Sequence, residues 1–187
     1  MENRLKELYN IIDVKSDKGT SHAYIDGYYS NEFKGKEHNN IRLLEIGIKE
    51  GHSHYLWNKF FINGEIYGVD NGESGFTCEV LKNTQVKLYK EDAYTKIFAD
   101  KFDNEFFDYI IEDGSHRIED WLKSIDLFLP KLKSGGKLII EDIGDMECAN
   151  KVDKKGKEHI LSQKSQIIDL RNLNNRWDDI IVEIIKK

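Results

Sequence analysis

The sequence predicts an α/β fold built on an open, doubly wound, mostly parallel sheet. Two observations support this prediction. Short apolar runs alternate with amphipathic helical patterns after residue 40, and no Pro/Gly/Ser-rich stretch interrupts them, since Pro130 is the one proline. Alternation of this kind places parallel strands side by side through right-handed crossovers. We therefore predict one structural domain, in which an N-terminal helical and aromatic segment, residues 1–40, contributes to the site of the main unit, residues 41–187.

The N-terminal segment opens with apolar residues at helical spacing, which predict a helix. They are Leu5, Leu8, Ile11 and Ile12. The aromatic residues Tyr28, Tyr29 and Phe33 follow, and we assign them to the core in preference to a sugar-stacking surface. Residues 1–14 contain no apolar signal-peptide core, so we expect a cytoplasmic protein.

Five apolar runs after residue 40 predict strands, some of them buried on both faces. They are Arg42–Ile48, Glu65–Val69, Val86–Tyr89, Phe107–Ile111 and Lys137–Ile140. Between them, His54–Phe61 and Arg117–Leu129 each have one apolar helical face, and Pro130 ends the second helix.

Two segments near the carboxyl end need separate predictions. Residues Arg176–Lys187 are predicted to form a short antiparallel hairpin with its turn near Asp178 and Asp179. The lysine-rich residues 151–159, within a segment 144–162, are predicted to be a solvated loop, with a lid over a ligand site as the alternative.

The composition limits the classes of partner. With 28 basic and 34 acidic side chains, the chain carries a formal net charge of −6, which argues against nucleic acid because phosphate binding needs clustered Lys and Arg. No apolar run approaches roughly 18 residues, so we expect no membrane partner. The two cysteines, Cys78 and Cys148, are too few for a disulfide scaffold. These exclusions favour a small-molecule partner.

Every predicted strand has an acidic residue at or just after its carboxyl end. These acids are Glu45, Asp70, Asp92, Asp113, Glu141 and Asp142. Ligands of doubly wound sheets bind beyond the carboxyl ends of the strands, near the point where the strand order reverses. Acids at all five ends therefore indicate a ligand site, whereas Glu112 is predicted to point to the opposite side of its strand.

The loop after the first strand has features of a nucleoside site. Gly47 and Gly51 permit a sharp turn and a close backbone approach to a ligand. The following helix begins near Ser53 and offers free N–H groups to a carboxylate. Gly-x-x-x-Gly is a weak signal by itself, and a packing role for the two glycines is the alternative.

Two later acids complete this half of the site. Asp70 is placed to accept hydrogen bonds from ribose hydroxyls. Asp92 can accept from an adenine amino group, with its neighbour Ala93 beside the base. Phe76, in the loop between them, is expected either on the adenine or as a space-filling residue.

The remaining acids predict a metal site. Asp113, Glu141 and Asp142 end neighbouring strands, about 4.8 Å apart, and such crowded charges need neutralising. Three hard oxygen donors suit Mg²⁺, with Mn²⁺ or Ca²⁺ as alternatives. His116 lies three residues after Asp113, and its ordinary pKa of about 6.5 suits a general base. A helix cap or a lysine partner for Asp142, and a surface position for His116, are the structural alternatives.

Glu45, Gly47 and Gly51, followed by Asp70 and Asp92, resemble the class I S-adenosylmethionine-dependent methyltransferases. The resemblance implies a Rossmann-like, seven-stranded sheet with a C-terminal antiparallel hairpin, and S-adenosylmethionine as cofactor of residues 41–187. It also implies that the two glycines line the methionine moiety, that Asp70 holds the ribose and that Asp92 reads the adenine. Glu45 often orients this loop in the family without touching the cofactor.

A closer resemblance rests on Asp113-Gly-Ser-His116, Ile-Ile-Glu141-Asp142 and Ser16-Asp-Lys-Gly-Thr-Ser-His-Ala-Tyr24. These motifs resemble the metal-dependent sugar O-methyltransferases of macrolide biosynthesis, of the macrocin and mycinamicin type, and the cephalosporin hydroxylase family. Catechol O-methyltransferases have a similar layout, with Lys at the histidine position and Asp-Asn as the later pair. The resemblance covers about residues 16–143 and implies that Lys18, Thr20 and Tyr24 lie near cofactor or substrate.

We therefore expect a divalent-cation-dependent O-methyltransferase that methylates a hydroxyl of a sugar or related vicinal diol, in natural-product or glycan biosynthesis. One alternative is the same scaffold with other chemistry, such as N-methylation or a hydroxylase-family role. Another is a non-catalytic partner subunit that binds S-adenosylmethionine. The chain is shorter than the macrolide enzymes, so a homo-oligomer in which a second subunit completes the acceptor pocket is an alternative to a monomer.

Overall fold

The computed structural model describes residues 3–73 and 77–187. Its strands, in chain order, are β1 (Arg42–Ile46), β2 (Glu65–Asp70), β3 (Lys87–Lys90), β4 (Phe107–Glu112), β5 (Leu132–Ile140), β6 (Ser162–Asp169) and β7 (Ile180–Lys186). They form one sheet in the order β3-β2-β1-β4-β5-β7-β6. Strands β1 to β5 pair in parallel, and β7 pairs antiparallel with β5 and β6. The predicted fold class is confirmed.

The helices are α1 (Arg4–Ile11), α2 (Asp17–Thr20), α3 (Ser30–Glu32), α4 (His52–Phe60), α5 (Lys96–Ala99), α6 (Ile118–Phe128), α7 (Met146–Glu158) and α8 (Arg171–Asn174). A π-helical turn, Ile25–Tyr29, precedes α3. Within the ranges that the structure describes, no helix combines the length and apolar character needed to cross a bilayer.

The central strands send alternate side chains into two separate cores, as the two-residue period of a strand requires. Leu44 of β1 belongs to the core beneath α5, α6 and α7, whereas Leu43 belongs to the core beneath the N-terminal segment and α4. Tyr28, Tyr29 and Phe33 are buried in the second core, which confirms their predicted core position. The N-terminal segment thus covers one face of the sheet.

The carboxyl-terminal third differs from the prediction in its details. The antiparallel hairpin is present, but its strands are β6 and β7, because residues 176–179 precede β7 and no turn lies within Ile180–Lys186. The predicted loop at 151–159 is wrong. It lies mostly in α7, which Asp145 caps by accepting a hydrogen bond from the backbone N–H of Cys148 (2.7 Å). Lysines cover the exposed side of α7, while its other side is buried through Ala149 and Val152.

Candidate active site

A cavity of about 1130 Å³ lies at the carboxyl edge of the sheet. The strand order reverses between β1 and β4, so successive connections leave in opposite directions there and open a crevice. The predicted site residues that line the cavity are Gly47, Ser53, Asp70, Asp92, Ala93, Asp113, His116 and Asp142. The predicted site residues outside its lining are Lys18, Tyr24, Glu45, Gly51 and Glu141.

Both glycines after β1 adopt positive φ angles, 93° at Gly47 and 82° at Gly51. A Cβ on Gly47 would lie 2.0 Å from the carbonyl oxygen of Asp113, so only glycine lets the ends of β1 and β4 approach this closely. A Cβ on Gly51 would lie 2.6 Å from Leu81. Gly51 therefore shapes the turn into α4, and Ser53 in the first turn of that helix reaches the cavity.

Asp70, at the end of β2, holds the loop after β1. Its Oδ2 accepts hydrogen bonds from the backbone N–H groups of Ile48 (2.9 Å) and Lys49 (3.1 Å), and its Oδ1 accepts from Gly72 (2.6 Å). Burial raises the pKa of Asp70, but these hydrogen bonds outweigh burial and hold it below its usual range. The side chain is thus a carboxylate at neutral pH. Its remaining lone pairs can accept from a ligand hydroxyl.

Asp92 and Ala93 follow β3 at the same edge. Asp92 is exposed to the cavity, and its Oδ1 accepts a hydrogen bond from the backbone N–H of Tyr94 (2.9 Å). Ala93 is buried and contributes apolar wall beside it. The arrangement offers a carboxylate next to an apolar surface, as a nucleobase requires. Phe76 lies outside the described residues.

Asp113, His116 and Asp142 converge on the cavity wall. One ligand atom of each lies within 4.8 Å of the others, and His116 Nδ1 is 3.7 Å from Asp142 Oδ2. His116 (φ 53°) and Asp142 (φ 55°) both have left-handed backbone. This conformation is unfavourable for non-glycine residues and is retained mostly where a site requires it. The two partly exposed carboxylates offer oxygen donors that fit a divalent cation such as Mg²⁺ or Mn²⁺, and the imidazole lies beside them.

Glu141 faces away from this wall. Its Oε1 accepts a hydrogen bond from the hydroxyl of Tyr29 (2.8 Å), and its Oε2 pairs with the ammonium of Lys18. Burial raises the pKa of Glu141 to about 8. The period of the strand explains the direction, because Glu141 follows Ile139 on the face covered by the N-terminal segment. The sequence predicts three metal ligands at the cavity, and the structure places two of them, Asp113 and Asp142, there.

Lys18 lies behind the cavity, not at its surface. Its ammonium is 2.7 Å from Asp113 Oδ2, 3.1 Å from Glu45 Oε1 and in contact with Glu141. Burial lowers the pKa of Lys18, but these carboxylates raise it well above its usual value. Glu45 is likewise buried and accepts a hydrogen bond from Trp57 Nε1 (2.8 Å). Neither side chain lines the cavity, although both lie one layer beneath it.

The sequence analysis assigned no role to His22 or Asp179. His22 lines the cavity, with its Nδ1 2.7 Å from Asp179 Oδ1 and 3.4 Å from Asp142 Oδ1. Asp179 is fully buried, and its Oδ2 accepts a hydrogen bond from the backbone N–H of Ala23 (3.0 Å). His22 lies two residues before Tyr24, within the Ser16–Tyr24 motif, so the sequence did offer a signal that it belongs to the site. Its pairing with a carboxylate near the other end of the chain had no local sequence signal.

A family model described as a methyltransferase domain matches residues 44–143, more than half of the chain. Among curated proteins, the chain is similar to the L-olivosyl-oleandolide 3-O-methyltransferase of Streptomyces antibioticus, with 27% identity over 68% of this chain and 34% of that protein. It is also similar to the demethylmacrocin O-methyltransferase of Streptomyces fradiae, with 30% identity over 62% of this chain and 31% of that protein. The chain therefore spans about a third of the length of these relatives.

Among solved structures, the chain resembles the MycE methyltransferase of the mycinamycin biosynthetic pathway, in complex with Mg, SAH and mycinamycin VI. The TM-score is 0.69 at 19% identity, and the match covers 98% of this chain and 54% of MycE. At this identity the likeness supports the fold alone.

Proposed function

Because the chain belongs to the methyltransferase-domain family, we propose that it transfers the methyl group of S-adenosylmethionine to a hydroxyl of a sugar or related vicinal diol, assisted by a divalent cation. The observation that carries the proposal is the convergence of Asp113, His116 and Asp142 on a cavity that Asp70 and Asp92 also line. A methyl donor and an acceptor hydroxyl can meet in such a cavity.

S-adenosylmethionine would bind along the ends of β1, β2 and β3. Gly47 would let the backbone approach the methionine moiety. Ser53 lies in the first turn of α4, whose free N–H groups would favour the carboxylate of that moiety. Asp70 would accept hydrogen bonds from the ribose hydroxyls and Asp92 from the adenine amino group. MycE, which has the same fold, was solved with Mg and SAH, and this supports proposing a divalent cation and an S-adenosyl cofactor here.

Asp113 and Asp142 would hold Mg²⁺ beside His116, with Mn²⁺ or Ca²⁺ as alternatives. A bound cation offsets carboxylate charge and makes an acceptor hydroxyl more acidic. We leave Glu141 out of the ligand set, because both of its oxygens already have partners in Tyr29 and Lys18.

His116 is the proposed catalytic base. Its side chain is 45% exposed at the cavity, with Asp142 near its Nδ1. His116 would accept the proton of the acceptor hydroxyl while that oxygen bonds to the methyl carbon and the bond from that carbon to sulfur breaks. Holding the oxygen, carbon and sulfur in line supplies much of the rate. A base of this kind contributes roughly 10²–10⁴-fold.

The names of the curated relatives support a sugar acceptor, carried by a macrolide in some of them. We propose a cytoplasmic, small-molecule enzyme without a nucleic-acid or membrane partner. We also propose a homo-oligomer in which a second copy of the chain completes the acceptor pocket.

Mass spectrometry tests the proposed function directly. The purified protein would be incubated with S-adenosylmethionine, Mg²⁺ and a panel of sugars, nucleotide sugars and glycosylated natural products. We expect a monomethylated product, lost on chelation with EDTA and restored by excess Mg²⁺. Methylation that persists in EDTA would contradict the cation requirement. Cofactor binding without transfer to any acceptor would favour a non-catalytic partner subunit.

A further inference from the structure

The buried ammonium of Lys18 lies among three acidic side chains, and its position supports an inference that deepens the proposed function and rests on it. We propose that the Lys18 ammonium fills a cation site made by Glu45, Asp113 and Glu141, and thereby confines the divalent cation to the Asp113–Asp142 side. Lys18 is thus a positioning residue that sets which carboxylates can bind a metal.

The geometry of this cluster is that of a cation site. Glu45 lies within β1, and Asp113 and Glu141 directly follow β4 and β5; one oxygen of each lies within 4.8 Å of the others. The Lys18 side chain is 2% exposed, and those of Glu45 and Glu141 are fully buried. A positive charge between buried acids at this separation stabilises their ionised forms. The ammonium provides that charge from within the chain.

The site is only partly satisfied by its lysine. Glu45 Oε1 is 3.1 Å from the ammonium, yet this buried oxygen accepts no hydrogen bond from the residues that the structure describes. One ammonium also faces three acidic side chains, Glu45, Asp113 and Glu141. A divalent cation would bring twice the charge of the ammonium and could coordinate the unsatisfied oxygen. The cluster therefore has the chemistry to bind a metal if Lys18 is removed.

Asp113 connects this cluster to the cavity. Its Oδ2 contacts Lys18, while the side chain remains 21% exposed toward the ligand space. Asp142 instead has its oxygens near Tyr24 and His116. Lys18 therefore divides the acids into a buried group that it neutralises and an accessible pair left for a metal.

The backbone around Lys18 is held firmly. Ser16 accepts a hydrogen bond from the backbone N–H of Lys18 through its Oγ (3.3 Å), and the hydroxyl of Tyr9 donates to the Ser16 carbonyl (2.7 Å). A Cβ on Gly19 would lie 2.6 Å from the Tyr9 ring, so the turn is closely packed. The N-terminal segment thus delivers the ammonium to a defined point behind the strand ends.

The test is Mn²⁺ binding by electron paramagnetic resonance and calorimetry, without acceptor or cofactor. We expect Lys18→Met to bind one more Mn²⁺ per chain than the unaltered protein, or to bind Mn²⁺ at least tenfold more tightly. We also expect the melting temperature of this variant to rise when Mn²⁺ is added. Lys123→Met is the control, because Lys123 lines the same cavity outside the cluster and is 59% exposed. It should bind Mn²⁺ as the unaltered protein does. Unaltered stoichiometry and affinity in Lys18→Met would overturn the proposal.

A second variant covers the case in which Lys18→Met does not fold without metal. Lys18→Met combined with Glu141→Gln removes one acidic group of the cluster together with the lysine. We expect this double variant to fold without Mn²⁺ and to lack the additional binding. A double variant as unstable as Lys18→Met would assign Lys18 to packing and overturn the inference. Failure of the proposed function can be distinguished from failure of this inference. The former would appear in the unaltered protein, as absent Mn²⁺ binding and EDTA-resistant methylation.

Discussion

The hydroxyl of Tyr24 donates a hydrogen bond to Oδ1 of Asp142 (2.7 Å) and accepts one from the backbone N–H of the same residue (3.0 Å). Two bonds to one residue hold both its backbone and its side chain. Asp142 has a left-handed backbone, φ 55°, at this point. The N-terminal segment thus positions an acid that follows β5, more than a hundred residues away in the chain.

Tyr24→Phe removes these two bonds while keeping the buried ring. We expect Mn²⁺ affinity to fall about 10–100-fold, the usual effect of losing a residue that orients a ligand. Titration by electron paramagnetic resonance measures this change, and circular dichroism verifies the fold. Tyr28→Phe is the matched control, because the Tyr28 hydroxyl bonds Glu183 instead. Equal affinities in both variants would contradict a positioning role for Tyr24.

His116→Ala tests the proposed base. We expect turnover to fall roughly 10²–10⁴-fold, because the acceptor proton loses its recipient. S-adenosylmethionine affinity, measured by calorimetry, should stay within a few-fold. His38→Ala, at an exposed position, is the control and should keep full activity. Normal turnover in His116→Ala would exclude this residue as the base.

Gly47→Ala tests the contact between the ends of β1 and β4. We expect a loss of unfolding free energy well beyond the ~1–2 kcal/mol that a left-handed residue costs, because the new methyl would lie 2.0 Å from the Asp113 carbonyl. Gly35→Ala is the control. Gly35 also has positive φ (73°), but no described atom lies within 4 Å of its would-be Cβ. Urea unfolding compares them, and similar losses would show that the close approach is unimportant.

Glu112→Gln tests a pH dependence on the other face of the sheet. Burial raises the pKa of Glu112 to about 7, while the hydroxyl of Tyr94 donates to its Oε1. The folded state therefore binds this proton more tightly than the unfolded state does. The stability that the proton contributes is present below the ordinary pKa of about 4.5 and is lost as the pH rises through about 7.

Glutamine resembles the protonated acid at every pH. We expect Glu112→Gln to gain stability relative to the unaltered protein between pH 5 and pH 8, by up to roughly 3 kcal/mol. Urea unfolding across this range measures the difference, and Glu119→Gln, at an exposed position of α6, is the control. A difference that does not change with pH would contradict the raised pKa of Glu112.

Several features of the site could be predicted because they depend on local pattern and on sheet topology. Alternating apolar runs and helical faces imply parallel strands, and parallel strands bring Asp70, Asp113 and Asp142 to one edge. Glycine at 47 follows from the sharp turn that this topology needs. The helix α7 was missed because its lysines hide a short apolar face, and the polar edge strand β6 lacks a clear alternation.

The sequence by itself determined which acids stand at the carboxyl edge, because the apolar pattern locates the strand ends and parallel strands end at the same edge of the sheet. Only the tertiary structure decided how those acids are divided. Strand period turns Glu45, Asp113 and Glu141 toward the layer that carries Lys18, and a left-handed backbone turns Asp142 to the cavity. The tertiary structure also brings His22 into contact with Asp179. Contacts between residues so far apart in the chain depend on packing, which local patterns do not encode.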